Sequence, residues 1–143
     1  MRPWSARKLV SLVAALAVVV VACGGATGET GEQPTLYVDL SDYRIAPDKA
    51  VVPPGRVVIG IRNHASMSHD LKVIKTDAAP DQLPYDQGAA KVKEDGKVAG
   101  LENIPGGASR KLVVADLAPG RYVLICNVAG HYLLGMRAPL EVK

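Results

Sequence analysis

The stretch Cys126-Asn127-Val128-Ala129-Gly130-His131-Tyr132-Leu133-Leu134-Gly135-Met136 brings a thiol, an imidazole and a thioether together in one short segment. Soft sulfur and borderline imidazole donors in such proximity suit a transition metal of intermediate softness. The chain upstream is therefore read first for a second imidazole and for the framework that would carry it.

The flanks of this stretch are short runs rich in β-branched residues. Ala118-Pro119-Gly120 turns the chain, and Arg121 to Cys126 runs as a strand into the motif. Met136 to Val142 leaves it as a last strand, and Ser109 to Ala115 alternates Leu112 and Val114 with Lys111 and Val113. Further upstream, Leu36, Val38 and Leu40 form a half-buried first strand that Tyr43-Arg44-Ile45 continues. Ala50-Val51-Val52 stops at the Pro53-Pro54-Gly55 turn, and Arg56 to Arg62 sets Val57, Ile59 and Ile61 on one face. After a loop from Asn63 to Ser68, His69 to Lys75 gives a strand with Leu71 and Val73 on one side. No stripe of helical period and length is present, so the pattern predicts an all-β domain of seven or eight strands, the size of a β-sandwich. Thr76 to Gly100, with Pro80, Pro84, Gly88 and Gly96 among many charges, is expected to be a long excursion containing one helical turn around Ala89 to Lys93.

The beginning of the chain has a different character. Arg2, Arg7 and Lys8 precede an apolar run from Leu9 to Ala22, which is of signal-peptide length and short of the roughly 20 residues of a membrane span. Val20-Val21-Ala22-Cys23-Gly24-Gly25 resembles the lipobox of bacterial lipoproteins. That resemblance implies a signal peptide over 1–22, cleavage before Cys23, and a lipid on its sulfur that anchors an exported protein to a membrane, facing the periplasm or the cell exterior. Residues 23–34 carry Gly, Thr, Glu and Gln without a large apolar side chain and read as a flexible tether, which leaves 35–143 as the folded domain. Losing three basic residues with the leader brings the 17 basic groups to 14, equal to the 14 acidic ones. The formal +3 of the whole chain therefore gives no basic patch for nucleic acid.

Of the two cysteines, Cys23 is the lipidation site, so Cys126 has no disulfide partner and needs another explanation in an oxidising compartment, of which metal ligation is one. His69, entering a strand, is the second imidazole sought. His64 reads as a solvated loop residue and Met67 as part of an apolar rim.

Three segments together resemble the cupredoxins, small blue copper proteins with a Greek-key β-sandwich. They are Ile45-Ala46-Pro47 through Val51, Gly55, Val57 and Asn63; Asn63-His64-Ala65-Ser66-Met67-Ser68-His69-Asp70; and Leu117-Ala118-Pro119-Gly120-Arg121-Tyr122 through Cys126, Gly130-His131 and Gly135-Met136. The Cys-x4-His-x4-Met spacing is similar to that of the rusticyanin, auracyanin and sulfocyanin branches. The resemblance implies one type 1 copper ion held by His69, Cys126, His131 and Met136, with Asn63, Asp70 and Asn127 supporting the ligands. It implies a monomeric one-electron carrier cycling Cu(II)/Cu(I) between redox protein partners, which dock on Met67, Tyr132, Leu133 and Leu134. Asp70 departs from the asparagine common in the family: an ionised carboxylate has no N–H to donate, so the support behind Cys126 has to be arranged differently. Ser68 stands where azurins have a glycine, which favours four ligands over a fifth carbonyl contact.

The alternative reading is a copper storage or delivery lipoprotein. An enzyme is disfavoured: the chain has 3 histidines, too few for the additional copper sites of copper oxidases and nitrite reductases. A Cys126–His131 dyad has no identifiable third group to orient it.

Overall fold

The computed structural model describes residues 31–143, and the compact unit runs from Glu32 to Lys143. The expected signal peptide over 1–22, the expected lipidation site Cys23 and most of the expected tether lie outside the described residues. The domain begins slightly earlier than Thr35: the Arg56 guanidinium donates to the Glu32 carboxylate at 2.7 and 2.9 Å, and Lys111 Nζ donates to the Glu32 carbonyl at 2.8 Å.

Among the described residues the chain forms strands and no helix. The strands are β1 (Leu36–Ser41), β2 (Arg44–Pro47), β3 (Val51–Val52), β4 (Gly55–Asn63), β5 (His69–Lys75) and β6 (Tyr85–Asp86). They continue with β7 (Lys91–Val92), β8 (Lys97–Ile104), β9 (Ser109–Leu117), β10 (Gly120–Ile125) and β11 (Arg137–Val142). One sheet has the order β2-β1-β4-β9 and the other β3-β11-β10-β5-β8, while β6 and β7 pair as a small hairpin. β1 lies parallel to β4 and β3 parallel to β11, so the chain crosses between sheets in the Greek-key manner, and the two sheets close on a shared core.

Two regions differ from the sequence expectation. Tyr43 does not continue the first strand. It sits in the tight turn between β1 and β2 at φ 56°, a left-handed conformation uncommon for a bulky residue. Residues 76–104 hold no helical turn at Ala89 to Lys93; they form the β6–β7 hairpin and then β8, an edge strand paired with β5. The reason is tertiary. The outward positions of β5 and β10, Ile74, Val123 and Ile125, are apolar, and the excursion folds over them with Leu83, Val92 and Tyr132 as a second buried cluster.

Strand parity then places the site. On β5 and β10, Leu71, Val73, Tyr122 and Leu124 point between the sheets, so the same inward rows bring His69 and Cys126 to the core side. β5 starts and β10 ends at the same end of the sheet, since the two are antiparallel with Lys72 opposite Ile125. β11 starts there too, opposite the end of β10, so the connection from Cys126 to Met136 closes over this end.

Candidate metal centre

His69 is the first residue of β5, in register with Ile104 of β8, and none of its surface is exposed. Cys126 is equally buried at the end of β10. The loop beyond it is closed by its own backbone: Cys126 N–H donates to the Met136 carbonyl at 3.1 Å, and Met136 N–H to the His131 carbonyl at 3.1 Å. Gly130 and Gly135 take φ of 81° and 114°, conformations that side-chain-bearing residues rarely adopt, and so let the loop turn twice within six residues. Met136 is fully buried in the main core.

The structure brings His69, Cys126 and His131 together, with ligand atoms all within 4.8 Å of one another. Cys126 Sγ is 3.8 Å from His69 Nδ1 and 3.6 Å from His131 Nδ1, and the two Nδ1 atoms are 3.2 Å apart. A first-row metal bound at about 2.0 Å from nitrogen and about 2.3 Å from sulfur separates its donors by about 3.3–3.8 Å, so these spacings fit one ion. One shared proton could join only two of the three atoms, whereas a cation satisfies all three. His69 Nε2 is buried with no hydrogen-bond partner.

The electrostatics agree with this fit. Burial pushes the Cys126 thiol pKa up, while backbone N–H groups of Asp70 and Val128 pull it down. The Asp70 amide donates to Sγ at 3.3 Å. Donors aimed at a sulfur that burial keeps from ionising by itself prepare a thiolate for a cation. Burial also lowers the His69 pKa, with the neighbouring His131 adding to the effect, so its imidazole is kept neutral and able to ligate. Two imidazoles, a thiolate and a weak thioether are the donor set of type 1 copper rather than of structural zinc.

The supporting residues have divided roles. Asp70 serves Cys126 through its backbone N–H, and its carboxylate accepts from the Asn103 amide at 3.0 Å, where Asn103 stands at φ 52°. The sulfur thus receives a main-chain N–H, while the Asp70 side chain is engaged with Asn103 and makes no bond to Cys126. Asn63 organises the loop before His69, donating to the Met67 and Ile104 carbonyls at 2.9 Å each and accepting from Ala65 N–H at 3.0 Å. Asn127 turns away from the donors and grips β7: its Oδ1 accepts from Val92 N–H at 2.8 Å and its Nδ2 donates to the Val92 carbonyl at 3.0 Å.

The expected docking residues separate. Leu133 and Leu134 are more than half exposed and Met67 is exposed, but Tyr132 is buried, with 2% of its surface accessible. Its hydroxyl accepts from Leu83 N–H at 3.0 Å and donates to the Pro80 carbonyl at 2.7 Å, so it is an anchor for the excursion and not part of an outer face. His64 lies exposed beside Asp39, away from the donors. Two residues near the site were not among the site candidates in the sequence. The Tyr43 ring meets His131 edge-on at 5.5 Å. Lys72 is buried on the outward row of β5, paired with Glu102 and 3.8 Å from Glu94.

A family model described as the Sulfocyanin (SoxE) domain matches residues 48–143. The chain belongs to the sulfocyanin family. Sulfocyanin of Sulfolobus acidocaldarius is 28% identical over 100 residues, covering 62% of this chain and 47% of that protein. The match thus spans about half the length of that relative. Among solved structures, auracyanin from Roseiflexus castenholzii aligns with a TM-score of 0.55 at 22% identity, covering 75% of this chain and 94% of that one. Rusticyanin from Thiobacillus ferrooxidans aligns with a TM-score of 0.57 at 19% identity, covering 75% of this chain and 76% of that one. These likenesses establish the fold as that of the cupredoxins. In this family the cofactor is one type 1 copper, the metal that the donor set fits.

Proposed function

We propose that this chain is a one-electron carrier, held at a membrane by a lipid on Cys23, exported beyond the cytoplasmic membrane, and working as a monomer between redox protein partners. The observation that carries the reading is the convergence of His69 Nδ1, His131 Nδ1 and Cys126 Sγ at one end of the sandwich, with Met136 buried and its carbonyl accepting from the Cys126 N–H. A copper ion bound there supplies a single-electron couple between Cu(II) and Cu(I). The protein's part is to keep the donors fixed. His69 and Cys126 are held by strands, Met136 by its place in the core and by the Cys126 N–H bond, and water is kept from the sulfur by full burial. His131 is the donor nearest solvent, and Tyr43, Leu133 and Leu134 supply exposed apolar surface around its loop. A partner seated on that surface would bring its own redox group close to the imidazole edge.

Burial of His69, Cys126 and Met136 favours retained over delivered copper, which sets this reading above storage or delivery. The test is to add Cu(II) to the purified protein with Cys126 reduced. An intense blue thiolate-to-copper band and a reversible one-electron midpoint are expected. A colourless product would overturn the copper reading, and rapid loss of metal to a modest chelator would transfer support to delivery.

A further inference from the structure

The excursion over residues 76–96 touches the metal loop at residues adjacent to donors. Asn127, next to Cys126, is bonded on both sides of its amide to Val92 and donates from Nδ2 to Glu94 Oε1 at 2.9 Å. Gly130, before His131, donates its N–H to the Ala90 carbonyl at 2.8 Å. Tyr132, after His131, is bonded through its hydroxyl to Pro80 and Leu83, and its ring stacks on Tyr85 at 6.0 Å. His131 is therefore bracketed by two attachments to the excursion, and Cys126 is followed by a third.

These attachments are directional. Covering Ile74, Val123 and Ile125 needs only apolar side chains, yet Asn127 and the Tyr132 hydroxyl are buried polar groups whose partners are mostly main-chain atoms of the excursion. Such groups are unfavourable in an interior unless their geometry is satisfied, so they fix position as well as fill space. Ala90 holds φ 53° without being glycine, and this conformation accompanies its carbonyl bond to Gly130.

We propose that residues 76–96 form a strap that sets where the loop donors stand, with Tyr132 and Asn127 as positioning residues for His131 and Cys126. The strap acts on the metal-free protein as well as the loaded one. Only the spectroscopic part of its test rests on the copper reading.

Tyr132→Phe keeps the buried ring and removes the directional bonds. In the metal-free full chain, followed by NMR hydrogen exchange, the Gly130 amide should exchange about tenfold faster while Ile59 and Leu112 in the sandwich stay unchanged. In copper-loaded protein the same variant should alter the EPR copper hyperfine splitting and the ratio of the thiolate charge-transfer bands. If Tyr132→Phe does not fold, Asn127→Ser, which loosens the strap at β7, should give the same pair of changes. Exchange at Gly130 that is unchanged, or that rises only together with Ile59 and Leu112, overturns the strap, as does an unaltered copper spectrum. A wild-type protein that never turns blue sinks the copper reading, and the Gly130 exchange then decides the strap alone.

Discussion

The two faces of the sheet that contains β5 and β10 carry two unlike apolar clusters. On the inner face, Leu71, Val73, Tyr122 and Leu124 meet the opposing sheet. On the outer face, Ile74, Val123 and Ile125 meet Leu83, Val92 and Tyr132, which come from the excursion and the metal loop. The same two strands supply both clusters from alternate residues. His69 and Cys126 stand on the inner rows, while the neighbours Asp70 and Asn127 stand on the outer ones. These two donors are thus built into the body of the fold, while His131 stands on the loop, whose residues Asn127, Gly130 and Tyr132 are bonded to the thinner layer laid over the sheet. The fold and the fine geometry of the site can be perturbed separately.

The largest expected effect comes from the inner cluster. Ile59 is fully buried on β4, and Ile59→Ala should cost about 2–5 kcal/mol through lost transfer energy and the cavity left behind. Ile125 is just as buried, but it lies under a segment whose own strands are two residues long and can settle onto the gap. Ile125→Ala should therefore fall at or below the lower end of that range. Urea denaturation of both metal-free variants checks the ranking, and equal losses would remove the distinction between the layers.

An intermediate effect is expected in acid. Burial by itself raises the Glu94 pKa, but hydrogen bonds from Lys97 and Asn127 and the charge of Lys72 outweigh it and hold this carboxyl below its usual value. In the unfolded chain Glu94 would take up a proton first. Its contribution to stability is accordingly complete above the ordinary carboxylate value of about 4.3 and disappears as pH falls through the lower folded value. Because Glu94 belongs to the strap, acid should free the Val92 and Lys93 amides before Ile59 and Leu112. Exchange rates normalised for intrinsic chemistry, compared with those of Glu94→Gln, check this. Simultaneous loosening of both layers, or an unchanged pH profile in the variant, would count against it.

What could be read in the sequence follows the same division. Alternation in Leu36, Val38 and Leu40 and in Val57, Ile59 and Ile61 exposes the inner face, because one buried row imposes a period of two. The spacing of Cys126, His131 and Met136 likewise identifies the donor loop. The outer layer leaves a fainter record. β8 reads Lys97-Val98-Ala99-Gly100-Leu101-Glu102-Asn103-Ile104, an edge strand with a central glycine and register shifts in its pairing with β5, so no clean alternation marks it. Tyr132 is followed by two exposed leucines and reads as their companion; its actual partners, the Pro80 carbonyl and the Leu83 amide, are main-chain atoms without a residue signature. Lys72 has no signal in the sequence, because nothing local announces that Glu94 and Glu102 will fold over it. The available clue was the outward row itself: Ile74, Val123 and Ile125 are apolar where a one-sided strand would be polar, which requires a covering layer.

The smallest effect on the folded protein should come from the tip of the loop, beyond both layers. Leu134 is 58% exposed and lies outside both buried clusters, so Leu134→Lys should change stability by no more than about 0.5 kcal/mol. The inner cluster, the strap and the donors all remain in place, so absorption and midpoint potential should match those of the wild type. Electron exchange with a partner should nevertheless slow, because an ammonium must be desolvated where an apolar side chain was. A loss of about 1 kcal/mol in the encounter complex corresponds to about fivefold in rate. Stopped-flow exchange with the partner, beside a small inorganic oxidant that needs no apolar docking, separates the terms: only the protein partner should slow. Equal slowing with both would place Leu134 in the control of the metal site itself, and the boundary between the loop's exposed tip and its strapped interior would then have to be drawn further out than Tyr132.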